Sequence, residues 1–116
     1  MMPDRRQVAR DRRRALRAPL TAAVVRRVGD TVHLAQSANI GRLGMTLRAP
    51  YGTPIAPRTA VTLSFALPGD PEVIHVRGEV VFDRPDGDGR LVGVRFASLD
   101  PEEAGRIERF VSTSAA

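Results

Sequence analysis

Hydrophobic and polar residues alternate through most of this chain, and the period changes only near the end. The clearest stretch is 59–67, where Val61, Leu63, Phe65 and Leu67 fall on one side and Ala60, Thr62, Ser64 and Ala66 on the other. That is the pattern of a half-buried antiparallel strand. Ile74, Val76, Gly78, Val80 and Phe82 repeat it, Asp86-Gly87-Asp88-Gly89 supplies hairpin turn chemistry, and Val92, Val94 and Phe96 close the series. Upstream, residues 20–25 are rich in strand formers, Gly29-Asp30 marks a turn, and residues 31–35 answer as the hairpin partner. A short strand over 45–47 is ended by Tyr51-Gly52-Thr53-Pro54. Six short strands with turn signals between them predict a mainly β fold, a small antiparallel six-stranded β-barrel.

The helical period takes over at Asp100-Pro101-Glu102-Glu103. Asp100 is an N-cap acceptor, Pro101 suits the first helical position, and Glu103 stands where a capping-box glutamate would. Ala104, Ile107, Phe110 and Val111 share one face of a helix over about 101–111, which should cover an open side or end of the barrel.

A length of 116 residues with 42% hydrophobic content accommodates one domain around one modest core and leaves no room for a second. The absence of cysteine removes disulfides and thiolate chemistry and suits a cytoplasmic setting. The first apolar run, 20–25, is too short for a signal-peptide core or a membrane span.

Charge changes the picture more than composition does. Residues 1–17 hold seven arginines against two aspartates, a balance of +5, whereas residues 18–116 hold eleven arginines and eleven acids. The whole surplus therefore lies in an N-terminal arm. Residues 1–11, polar and without hydrophobic period, are expected to be flexible, with residues 12–112 forming the domain. A neutral body with a cationic arm argues against a broad nucleic-acid face and for a local anionic partner.

Two segments carry candidate binding chemistry. Arg13 and Arg17 offer planar guanidinium forks that bind phosphate in bidentate fashion and stack on flat bases, with Arg12 beside them. An arm just before the first strand can fold back and bring these arginines to Asn39-Ile40-Gly41-Arg42-Leu43-Gly44, a side-chain amide followed by a glycine-punctuated turn. Gly44 is expected to hold an unusual backbone angle there. A charge run read alone is more often a solvated cluster, and a glycine read alone is more often a plain turn.

Together these segments resemble the PilZ domain, whose signature is Arg-x-x-x-Arg followed by Asp/Asn-x-Ser-x-x-Gly. The resemblance continues through Leu67-Pro68-Gly69, Val76-Arg77-Gly78-Glu79-Val80-Val81 and Gly93-Val94-Arg95-Phe96 into the terminal helix, over roughly residues 10–112. It implies a PilZ-like split barrel and a receptor for cyclic di-GMP, without catalysis and without a cofactor. The ligand-binding residues it implies are Arg12, Arg13, Arg17, Asn39, Gly41 and Gly44, with Arg12 matching members in which an extra arginine helps hold two stacked ligand molecules. Asn39 would read a guanine edge. One departure stands out: the family serine is Gly41 here, and a missing neutral hydroxyl bond is worth about 1 kcal/mol, or roughly five-fold in affinity. The resemblance further implies an unidentified downstream protein, in motility or exopolysaccharide control, and a monomer or homodimer away from any membrane. A ligand-free interaction adaptor on the same barrel is the alternative that Gly41 favours.

The remaining residues have plainer readings. Phe82 falls where some family members carry a tryptophan that packs on a ligand base, but its register with Val80 and Val76 favours core packing. Arg95 reads as a cross-strand charge partner, and Asp83, Asp86 and Asp88 as turn residues. His33 and His75 lie on different strands with no further ligand at metal spacing. No nucleophile elbow, phosphate loop or paired-carboxylate motif occurs, so no enzyme is expected.

Overall fold

The computed structural model describes residues 17–50 and 54–115. Seven strands and one helix occur among them: β1 Arg17–Pro19, β2 Ala23–Val28, β3 Thr31–Gly41, β4 Gly44–Ala49, β5 Ala60–Phe65, β6 Ile74–Asp86, β7 Gly89–Ser98 and α1 Pro101–Ala115. Every strand pair is antiparallel. Strands β2, β5, β6, β7, β4 and β3 run round a closed barrel, because β3 pairs with both β2 and β4. Closure removes the open edges that would otherwise invite aggregation.

The alternation is converted directly into a core. Val61, Leu63 and Phe65 from β5, Ile74, Val76 and Val80 from β6, and Val92 and Val94 from β7 all point inward and are buried. Helix α1 adds Ile107 and Val111, packing over β1 and β3 and covering one end of the barrel. Asp100 caps it as expected: its Oδ1 accepts from the Glu102 N–H at 2.9 Å and its main-chain oxygen from Ala104. Glu103 departs from the capping-box role. Its carboxylate accepts from the main-chain N–H of His75, tying the helix to β6 instead of to its own cap. The helix also runs on to Ala115, beyond the predicted end.

Three further differences from the sequence reading have physical causes. Residues 20–25 are not one strand, because residues 20–22 break the line between β1 and β2. The Ser37 hydroxyl fills that break, accepting from the Ala22 N–H at 2.9 Å and donating to the Leu20 carbonyl at 2.6 Å. Strand β3 extends to Gly41 instead of stopping at residue 35, with a bulge at Ala38 that blurs its alternation. A second bulge, at Val81, shifts Phe82 out of the core and onto the outer wall. Asp83 then turns inward from β6 as a buried ion-pair partner of Arg90, so only Asp86 and Asp88 keep the turn reading.

Candidate ligand-binding site

Arg17 lies in the sheet and not in a loose arm. It opens β1 and pairs with Gly41 at the end of β3, while Pro19 pairs with Asn39. Arg17 Nε donates to Asn39 Oδ1 at 2.6 Å, and Nη2 to Thr46 Oγ1 on β4 at 3.4 Å. Two halves of a motif 22 residues apart are thus in contact. The amide oxygen of Asn39 serves to orient the guanidinium, which an aspartate oxygen would do equally, and its Nδ2 is left as the group that can donate. Arg17 stays exposed, but lying low among its neighbours partly desolvates the guanidinium and lowers its pKa from the ordinary arginine value. It remains a cation throughout the neutral range.

Register extends this surface across the barrel. Asn39 pairs with Thr46, Thr46 with Gly93, and Gly93 with Phe82. Directly opposed residues on antiparallel strands share a face, so these four line one outer row, about 14 Å long at the usual strand spacing. A Cβ at Gly93 would overlap the Phe82 ring, so the glycine is what lets that ring lie against the wall. The Arg84 guanidinium sits 5.1 Å from the ring centroid on the solvent side, a cation–π arrangement. Thr46, Gly93 and Arg84 were not among the sequence candidates. Gly93, a break in an otherwise apolar strand, was the one signal available for them.

The two motif glycines act differently from expectation. Positive φ among the described residues is confined to Gly29, Gly69, Gly87 and Arg58, so Gly44 holds no unusual angle. Its role is close approach, since a Cβ there would overlap the carbonyl oxygen of Val94 where β4 and β7 pair. Gly41 is a buried strand residue and not part of a turn. The turn itself is Arg42-Leu43, tied to β7 by the Phe96 N–H to the Leu43 carbonyl and to α1 by a 3.0 Å Arg42–Glu108 ion pair. Arg95 is the expected cross-strand partner of Glu79. His75 is engaged by Ser64, with Nδ1 2.8 Å from its hydroxyl. Arg12 and Arg13 lie outside the described residues.

A family model, PilZ domain, matches residues 11–113 of the chain. Comparison with curated proteins gives no match. Among solved structures, the Bacillus subtilis inhibitor of motility MotI/DgrA is similar with a TM-score of 0.77 at 14% identity, covering 84% of this chain and 48% of that one. This chain therefore spans about half the length of that protein. The PilZ domain of YcgR from Escherichia coli, solved with c-di-GMP, is similar with a TM-score of 0.69 at 10% identity, covering 85% of this chain and 88% of that one. A tetrameric PilZ-domain protein from Xanthomonas campestris gives 0.55 at 22% identity, over 73% and 47% of the two chains. At these identities the likeness speaks for the fold.

Proposed function

The chain belongs to the PilZ domain family, whose members are non-catalytic modules and generally receptors for cyclic di-GMP, and from that premise we propose that it binds this ligand on the outer row beginning at Arg17. The contact between Arg17 and Asn39 carries the reading. A guanine dinucleotide presents phosphates and base edges, and this pair sets an oriented cation beside an amide donor at one strand junction. The ligand's phosphates engage Arg17 together with Arg13, a guanine edge takes the Asn39 Nδ2 donor, and bases stack on guanidinium planes. Each charge-assisted bond contributes roughly 1.5–3 kcal/mol and each stack about 1–3. Two or three such contacts offset ordering of the short arginine arm, which costs roughly 1–2 kcal/mol per residue. The ordered arm then presents a changed surface to a downstream protein. Arg42 links the site's hairpin to α1 and is one route by which occupancy reaches the helix.

Calorimetric titration with cyclic di-GMP, beside GTP and a short oligonucleotide, tests this. Saturable binding of the dinucleotide alone is expected, together with protection from trypsin after Arg10, Arg12, Arg13 and Arg14. Binding of all three with steep salt dependence would indicate nonspecific attraction instead. No binding at all would favour the second reading, a ligand-free interaction adaptor, for which Gly41 in place of the family serine is the supporting observation.

A further inference from the structure

At the end of the barrel away from Arg17, inward positions turn polar. Arg26 on β2, Asp83 on β6 and Arg90 on β7 line a cavity of about 450 Å³, with Val28, Ile55 and Val92 among its apolar walls. Asp83 and Arg90 answer each other: Arg90 Nε donates to Asp83 Oδ1 at 2.5 Å, and Nη2 to the Asp83 carbonyl at 3.3 Å. Asp83 Oδ2 accepts from the Ile55 N–H at 2.7 Å. Each oxygen of the one carboxylate in the described lining therefore already has a donor. Arg26 is left over. It is 7% exposed, and its Nε and Nη1 are buried without a hydrogen-bond partner. Burial lowers its pKa and Asp83, too far for a hydrogen bond, partly opposes that. Two guanidinium groups against one carboxylate leave one positive charge uncompensated in a desolvated place, which proteins resolve by pairing.

We propose that this cavity binds a small monocarboxylate with a short apolar chain, its carboxylate on Arg26 and its chain against Val28, Ile55 and Val92. The charge deficit is one, which suits a monoanion and not a multiply charged phosphate. The volume falls in the range of small-molecule pockets and exceeds what a lone bridging water would fill. The site is distinct from the outer row because it lies inside the barrel wall: Asp83 and Val92 line the cavity, whereas their neighbours Phe82 and Gly93 belong to the outer face.

The full chain is titrated with sodium butyrate, with butyramide as the neutral isostere and with sodium chloride at matched ionic strength. The readouts are the Arg26 Nε–Hε resonance and the thermal midpoint. Butyrate is expected to shift the resonance saturably and raise the midpoint, with at least ten-fold tighter apparent binding than butyramide. Arg26→Met should lose that response while leaving cyclic di-GMP binding unchanged. A butyrate response no greater than that to chloride, or one equal to that of butyramide, overturns the proposal on the wild-type chain alone. An undiminished butyrate response in a folded Arg26→Met variant overturns it as well.

Discussion

Arg17 and Arg26 pair against the same strand, β3, yet face opposite sides of the barrel wall, and their environments differ accordingly. Arg17 meets Gly41 at one end of β3, keeps its exposure, and is held by Asn39 and Thr46. Arg26 meets His33 near the other end, and its Nε and Nη1 are buried without a hydrogen-bond partner. A cation that is oriented but still solvated costs little to keep and is ready for a ligand that brings its own charge. A cation that is desolvated in advance destabilises the empty fold and gains most from whatever neutralises it. The two proposed sites thus use one residue type in two ways, and the facing of the strand decides which.

The largest expected effect comes from removing Asp83, the one carboxylate in the described lining of the cavity that holds Arg26. Asp83→Ala breaks its pair with Arg90, strips the Ile55 N–H of its acceptor, and leaves the Arg26 and Arg90 guanidinium groups on one cavity without a carboxylate in its described lining. Breaking a buried pair costs about 3–5 kcal/mol. Urea denaturation should show a loss of that order. A loss under about 1 kcal/mol would mean that water reaches this end freely, and the contrast between a dry and a wet arginine would collapse.

On the outer side, Arg17→Ala should leave stability within about 0.5 kcal/mol, as surface changes do, but reduce cyclic di-GMP affinity. Loss of one charge-assisted bond corresponds to roughly 10- to 150-fold by titration calorimetry. Replacing Arg5 or Arg6 should cost far less, since neither belongs to the Arg13-x-x-x-Arg17 pair. Equal losses at all three positions would show that the arm acts as diffuse charge, and the oriented character of Arg17 would carry no function.

How much of this contrast was legible beforehand follows from what alternation encodes. Strands β5 and β6 were readable because Val61-Leu63-Phe65 and Ile74-Val76 keep strict period two. Period two cannot say which of Arg26 and Arg27 points inward, because residues 24–28 read apolar, apolar, basic, basic, apolar. Nor can it see a bulge: Val81 moved Phe82 from the core to the outer wall and turned Asp83 inward in one step. The Arg17–Asn39 half of the proposed site was legible because each residue stands in a short motif with its own internal spacing. Its continuation through Thr46, Gly93 and Phe82 depends on cross-strand register, which no single segment of the chain contains.

The smallest effect, and the finest test of the outer site, is Gly41→Ser. Gly41 stands directly opposite Arg17, so a side chain added there shares its face and lies beside the guanidinium. The backbone permits it, since Gly41 is a strand residue outside the positive-φ set and serine adopts strand angles without strain. A restored hydroxyl bond is worth about 1 kcal/mol, which is roughly five-fold in affinity. Calorimetry on the variant, with its thermal midpoint checked in parallel, should show tightening of that size and a retained fold. Unchanged or weaker binding in a folded variant would mean that the glycine is no defect at this site, and that Arg17, held by Asn39 and Thr46, already supplies what the family serine supplies elsewhere.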